Sequence, residues 1–395
     1  MAESREGYTT REAYVATLQT LVKIDTTHPT GNEMDAINAI LAMFDGCDCA
    51  TDVVDHGDNR GSLVLTIEGE DCGRSLAFMG HLDTVPVDDL DQWTVPPHGA
   101  VIEDGFLYGR GAADMKGGVA SMIQAALHVL EEGLTPAYGL KFCFTADEEA
   151  NGMGVLGIRD AGLLDDAVAV FIPEPTGAKI GVMEKGALWL QVTAIGKSAH
   201  GSRPDLGCNA IEKLLVFLER LRGSIDLSME SDVFEEMGRS TFVVSKIEGG
   251  TKTNVVPSHA SASVDIRTVF GVDHQAIIDK AETIVLDMGT EDLSISVRVE
   301  NDRPAIGVDR DHPFVVGVAE EMEKLGLEVG YKGLHFYTDG SQVVPQFGMP
   351  FVILGPGEDS MAHQKDERVA LRAVSDIADV FISYILHLDE KEVFQ

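Results

Sequence analysis

Positive charge is scarce in this chain of 395 residues: 30 Lys and Arg stand against 65 Asp and Glu, a formal net charge of -35. Such a surface repels phosphate, so neither nucleic acid nor an anionic membrane is expected as a partner. The excess is spread along the chain rather than gathered in a tail. A diffuse acidic surface suggests a cytosol of high salt, where screening relieves the self-repulsion, and a halophilic source is expected. Cysteine is sparse and odd in number: Cys47, Cys49, Cys72, Cys143 and Cys208. No CxxC spacing occurs, which leaves no disulfide framework or thiolate zinc site to expect and points to reduced thiols. Cys47-Asp48-Cys49 reads as an incidental pair in a loop. No apolar run approaches the ~20 residues that span a bilayer. Met1 to Thr10 is polar and lacks the apolar segment of a signal peptide, so the expected location is cytoplasmic. A Gly-x-Ser-x-Gly elbow is also missing, which leaves a serine or cysteine nucleophile unsupported.

What is present is a globular composition, 44% hydrophobic, in a chain long enough for two domains. Helices are expected over Tyr8–Ile24, Glu33–Phe44, Val119–Glu132 and Val155–Ala161. They alternate with strands at Thr51–Val54, Ser62–Ile67, Ser75–Met79, Leu140–Thr145 and Ala167–Ile172, with a hairpin around Asp104-Gly105. Such alternation signals a mostly parallel sheet covered by helices. From about Ile180 the order becomes β-α-β-β-α-β: Gly186–Ala194, Asn209–Leu221, Thr241–Lys246, Ala260–Arg267, Asp273–Met288 and Leu293–Val299. That is the ferredoxin-like arrangement, and it implies an α/β fold with an inserted domain over 181–300. A discontinuous catalytic domain would then comprise 1–180 and 301–395, resuming with helix Phe314–Lys324, strand Pro350–Leu354 and helix Leu371–His387.

Acidic residues and histidines recur just beyond the expected strand ends, where open parallel sheets place their functional groups. They are His81 and Asp83 in Gly80-His81-Leu82-Asp83-Thr84-Val85-Pro86, then Asp114, Glu148, Glu149, Glu174 and His363. Singly, each is more simply a helix cap, a solvated charge or a surface histidine. Together they change the odds. Three adjacent carboxylates, Asp147-Glu148-Glu149, repel one another unless cations neutralise them. Pro173-Glu174-Pro175 holds another carboxylate in stiff, extended backbone. Two imidazoles and several carboxylates suit borderline divalent ions such as Zn²⁺, with Co²⁺ or Mn²⁺ able to use the same ligands. The run Gly152-Met153-Gly154-Val155-Leu156-Gly157 matches a dinucleotide-binding pattern. The three acids between it and the strand would repel a pyrophosphate, so it is read as a decoy.

These motifs resemble a known family. Gly80–Pro86, Gly109–Gly118, Thr145–Glu149, Pro173-Glu174-Pro175 and Ala362-His363 look, in order and over nearly the whole chain, like the co-catalytic zinc hydrolases. That family includes acetylornithine deacetylase, succinyl-diaminopimelate desuccinylase, aminoacylase and the glutamate carboxypeptidases and dipeptidases. The resemblance implies two divalent metal ions, with Asp114 bridging them, His81 and Glu174 completing one, and Glu149 and His363 the other. Asp83 would orient His81, and Glu148 would be the general base. The Asp114–Met115 peptide would be cis.

The resemblance extends into the insert. Gly196-Lys197-Ser198-Ala199-His200-Gly201-Ser202 is similar to a loop whose His200 would reach the partner subunit's active site and stabilise the oxyanion, which implies a homodimer. Asn254 and Arg267 would hold the carboxylate of a small-molecule substrate. Thr338, Asp339 and Gly340 would line the substrate pocket. The bland readings are that Asn254 caps a turn and Arg267 pairs with a surface acid. The activity implied is hydrolysis of the amide of an N-acyl amino acid, of deacetylase or desuccinylase type. A carboxypeptidase or dipeptidase is the alternative within the family, and a non-catalytic metal-binding protein a remote one.

Overall fold

The computed structural model describes residues 8, 10–227 and 237–390. Within them the chain forms two compact units. One comprises residues up to 182 with 308–332 and 338 onward; the other comprises 183–307 with 333–337.

The first unit opens with helices α1 (Arg11–Lys23) and α2 (Glu33–Met43). Strands β1 (Ala50–Gly57), β2 (Arg60–Ile67) and β3 (Asp71–His81) follow, then the hairpin β4 (Val101–Glu103) and β5 (Phe106–Tyr108). Helix α3 (Gly117–Glu131) leads to β6 (Tyr138–Thr145), α4 (Met153–Asp160), β7 (Ala167–Pro175) and β8 (Ile180–Glu184). The division between the units falls within β8.

The second unit contains β9 (Gly186–Ile195), α5 (Ala210–Ser224), β10 (Thr241–Gly249), β11 (His259–Thr268), α6 (His274–Met288), β12 (Ser294–Arg303) and the short β13 (Ile306–Gly307). After it come α7 (Pro313–Lys324), β14 (Tyr331–Leu334), α8 (Gly340–Phe347), β15 (Phe351–Gly355), β16 (Arg368–Ala370) and α9 (Leu371–Leu386).

In the first unit the sheet runs β1-β2-β6-β3-β7-β15-β8. Its middle four strands, β6, β3, β7 and β15, are mutually parallel, and the flanking pairs are antiparallel. This is the mostly parallel sheet that the alternation implied. Buried parallel strands read as unbroken apolar runs because helices cover both faces. Phe78 of β3 accordingly stacks on Phe142 of β6 (4.7 Å between centroids) and on Phe171 of β7 (5.2 Å), and meets Phe381 of α9 edge-on at 5.2 Å. Each such contact adds ~1 kcal/mol beyond area burial, and the cluster fixes α9 on the sheet.

Register aligns the strand ends. His81 pairs with Thr145 across β3 and β6, and Pro175 pairs with Gly355 across β7 and β15. Helix α3 starts beside β7 because Gly118 permits it: a Cβ there would lie 2.0 Å from the Pro173 carbonyl oxygen. The segment that precedes α3 is thereby brought next to Glu174.

The second unit has the antiparallel order β10-β11-β9-β12 with α5 and α6 packed against it, the ferredoxin-like arrangement expected from the β-α-β-β-α-β succession. Strand β11 alternates buried and partly exposed residues, the period of a sheet with one covered face. Its core gathers Leu188, Leu190, Leu214, Phe217, Ile266 and Ile277.

Five elements lie outside the expected pattern. One is helix α8, which contains Pro345 and begins at the residues expected to line the substrate pocket. The others are the short strands β8, β13, β14 and β16. Among the described residues no helix is long and apolar enough to cross a membrane.

Candidate metal centre

The acids and histidines beyond the strand ends of the first unit converge. His81 is the last residue of β3, and its ring is almost fully buried. Its Nε2 lies 3.2 Å from Asp114 Oδ1 and 3.6 Å from Glu174 Oε1. Asp114 comes from the irregular turn before α3, and Glu174 from the end of β7. His363 follows β15 and carries a left-handed φ of 62°. Its Nε2 lies 3.4 Å from the second Asp114 oxygen, Oδ2, and 3.1 Å from Glu149 Oε2. Asp114 thus directs one oxygen at each histidine. The Asp114–Met115 peptide is cis.

Ligand atoms of His81, Glu148 and Glu174 lie within 4.8 Å of one another, as do those of His81, Asp114 and Glu149. The structure therefore brings together all five residues expected as metal ligands, together with Glu148.

The donor set can be tested for fit. Four carboxylates (Asp114, Glu148, Glu149 and Glu174) face two imidazoles in a pocket where the Glu148 and Glu174 residues are 6% and 3% exposed. Like charges so placed out of water are costly without cations. Nitrogen and carboxylate oxygen donors, with one carboxylate between two clusters, match what a pair of borderline divalent ions requires. The residues fit the group.

The imbalance shows in the ionisation of the metal-free site. Hydrogen bonds to Asp114 and Glu149 raise the pKa of His363 to about 10. Burial opposes the charged form of His81, but Glu174, Asp114, Glu148 and Asp83 more than reverse this and hold it well above its ordinary value. Burial likewise disfavours the Asp114 carboxylate, yet its hydrogen bonds with His363 and His81 keep its pKa well below the usual range. Glu174 is raised well above its usual value, chiefly by burial.

Asp83 lies beside His81 and also supports the turn beyond β6. The His81 Nδ1 is nearest the backbone carbonyl of Asp83, at 3.0 Å, and its carboxylate oxygen is 3.7 Å away. The carboxylate instead accepts the backbone N–H of Glu148 on Oδ1 and that of Glu149 on Oδ2, both at 3.1 Å. It is fully buried, and burial raises its pKa to about 7. Asp83 thus holds the turn that carries Glu148 and Glu149, and its backbone contacts the histidine.

Asp147, the first of the three acids, turns away from the cluster. Its φ of 66° is left-handed, a conformation that aspartate tolerates better than most residues. It takes a 2.8 Å hydrogen bond from Arg60 Nη1, and Arg60 also grips Glu33 through Nε and Nη2 at 3.1 and 2.6 Å. The other Asp147 oxygen accepts the N–H groups of Asn151 and Met153 at the start of α4. That helix terminus is therefore already occupied by a carboxylate, which is why the glycine pattern at 152–157 offers nothing to a pyrophosphate. Arg60 and Glu33 carry no local sequence signal, and only the tertiary contact reveals them.

Thr338, Asp339 and Gly340 lie at the start of α8 and are buried. Thr145 donates a 2.6 Å hydrogen bond to Asp339 Oδ2, which ties this turn to the end of β6. In the second unit His200 is exposed, with Nδ1 2.8 Å from Ser202 Oγ. A backbone bridge joins its position to Val255, so the loop carrying Asn254 lies alongside. Arg267 contacts Asp265 at 3.0 Å, and its guanidinium lies 6.0 and 5.7 Å from the Trp189 and Tyr337 ring centroids.

Comparison with known proteins gives this geometry its context. A Staphylococcus aureus protein named "Probable succinyl-diaminopimelate desuccinylase" is 30% identical over 387 residues, covering 91% of this chain and 94% of the relative. Among solved structures, the M20 family metallo-carboxypeptidase Sso-CP2 from Sulfolobus solfataricus superposes with a TM-score of 0.76 at 18% identity, over 94% of this chain and 98% of its own. A Bacillus subtilis protein described as a dinuclear metal binding peptidase superposes at 0.70 with 16% identity, over 96% and 99%. The sequence pattern of "Peptidase family M20/M25/M40" matches residues 77–387, a span that runs from the strand ending in His81 to the last helix. With the converged acids and histidines inside that span, the chain belongs to peptidase family M20/M25/M40 and is an enzyme that hydrolyses amide bonds.

Proposed function

We propose that the chain removes the acyl group from an N-acyl amino acid, with succinyl-diaminopimelate the first substrate to test, through a site that holds two divalent ions, zinc foremost. The observation that carries this reading is Asp114, which directs one oxygen toward each of two histidines, each of which also meets a glutamate. His81 and Glu174 would hold one ion, Glu149 and His363 the other, and Asp114 both. When bound, such ions polarise an amide carbonyl and lower the pKa of water.

The rest falls to the chain's own groups. Glu148 takes a proton from the attacking water and returns it to the departing amine. It is buried, 6% exposed, beside the other acids of the cluster. Glu149 is engaged with His363, which leaves Glu148 as the base of the pair. Asp83 holds the backbone of both glutamates, so the base and a ligand share one support. Asn254 and Arg267 receive the substrate carboxylate, for which a guanidinium is a natural clamp. His200 donates to the oxyanion from the partner subunit, and Thr338, Asp339 and Gly340 line the leaving-group pocket.

The second unit serves as the dimerisation and lid domain of a cytoplasmic homodimer. Its edge strand β10 exposes Val243 and Ile247, each 51% accessible, as apolar surface that a second copy would cover. The net charge of -35 supports a halophilic habitat, and melting temperature should rise from dilute buffer to molar KCl.

Side-by-side hydrolysis of N-succinyl-diaminopimelate, N-acetyl-ornithine and simple dipeptides tests the function. The succinylated substrate should give the highest kcat/KM. A clear preference for dipeptides would overturn the deacylase reading.

A further inference from the structure

We propose that Glu367 is a positioning residue, whose carboxylate holds the backbone that presents Asp114 to the metal ions. It rests on the two-metal reading of the site and adds a residue that touches neither ion nor substrate.

Glu367 is fully buried between β15 and β16, far along the chain from Asp114. Its Oε1 accepts the backbone N–H groups of Ala113 at 2.9 Å and Asp114 at 3.0 Å. Its Oε2 accepts the N–H of Gly111 at 3.0 Å and Arg110 Nη1 at 2.7 Å. Each oxygen thus receives two donors, and three of the four are main-chain groups of one short segment.

That segment needs an external acceptor. Asp114 and Met115 have φ/ψ of -121°/96° and -127°/26°, outside any regular helix. Buried N–H groups without a partner are costly, and a carboxylate is the strongest acceptor that a side chain offers. A purely structural Arg–Glu pair would need only the contact with Arg110. Here the carboxylate instead spans the loop from Gly111 to Asp114.

The downstream end is fixed separately. Lys116 Nζ donates to the carbonyls of Leu21 at 3.1 Å and Ile24 at 2.9 Å, at the C-terminal end of α1. Met115 Sδ lies 3.2 Å from the His81 backbone N–H. Glu367 therefore governs the upstream half of the turn and the direction of the Asp114 carboxylate between His81 and His363. Supports of this kind typically change metal affinity by roughly 10- to 100-fold when removed.

The test measures Zn²⁺ affinity of metal-free wild type, Glu367→Gln and Glu367→Asp by competition with a chromophoric chelator, with far-UV circular dichroism as the check on folding. Glutamine keeps the shape but faces one oxygen's donors with an N–H₂. Aspartate keeps the charge but falls a methylene short. The folded variants should bind Zn²⁺ about 10- to 100-fold more weakly, with the Gln variant the weaker. Either variant, folded and binding as wild type does, would overturn the proposal. So would failure of both to fold, because Glu367 would then act on the whole fold rather than on Asp114. If wild type itself bound no Zn²⁺, the two-metal reading would fail first and take this role with it.

Discussion

Replacing Glu148 with glutamine separates two roles that its position permits. Its carboxylate belongs with His81 and Glu174 in a group whose ligand atoms lie within 4.8 Å, so by geometry alone it could be a third ligand as well as a base. Its backbone N–H is held at 3.1 Å by Asp83, and the residue is 6% exposed, so an isosteric amide should sit in the same place. Loss of a general base typically slows a reaction about 100- to 10,000-fold, or about 3 to 5 kcal/mol in the barrier. A group that acts only in the transition state lowers kcat with little change in KM. The expected outcome for Glu148→Gln is therefore a kcat reduced by that factor, KM near wild type and an unchanged metal-to-protein ratio. The assay is initial rates on N-succinyl-diaminopimelate with elemental analysis of the same sample. A kcat within tenfold of wild type at full metal content would refute the assignment of the base. Loss of an ion together with activity would make Glu148 a ligand instead.

Asp83→Asn replaces one of the two oxygens that hold the Glu148 and Glu149 N–H groups by an N–H₂, and a buried donor left unmatched costs about 1 to 3 kcal/mol. Activity should fall roughly 10- to 100-fold and melting temperature should drop, both read on one preparation. Metal binding should strengthen with pH. His363, with a pKa of about 10, and His81, also raised, both carry protons in the metal-free protein near neutrality. An incoming ion must displace those protons, so apparent affinity should rise as pH climbs from 6.5 toward about 10, by up to roughly two powers of ten per pH unit. Calorimetric titration in two buffers of different ionisation enthalpy measures the protons released, and none released at pH ~7.5 would contradict the protonation of both imidazoles.

Much of this site was legible from where residues stand relative to strands. His81, Glu148, Glu149 and Glu174 each follow an apolar run closely, and a parallel sheet brings the ends of such runs together. Asp114 and His363 stand farther from their strands, and it is the resemblance that gives them the roles of bridge and ligand. Asp83 was singled out on its two-residue offset from His81, but sequence cannot say which atoms of a residue face which neighbour, and its carboxylate turned to the backbone of Glu148 and Glu149. Arg60, Glu33 and Glu367 are not legible in the sequence, for a different reason. Each acts across a long stretch of chain through hydrogen bonds to backbone or to another buried charge, and nothing in the local pattern marks such a contact. Helix α8 lies outside the expected elements, and Pro345 stands within it. Proline costs little there, because a helix this short has few internal hydrogen bonds to lose.

The central claim is that Asp114 stands between two metal ions held by His81 and Glu174 on one side and Glu149 and His363 on the other. Its most direct test is the metal-to-chain ratio of the purified wild-type protein, saturated with Zn²⁺, freed of excess ion and measured by elemental analysis. Two ions per chain is the expected result. A folded chain that retains none would contradict it.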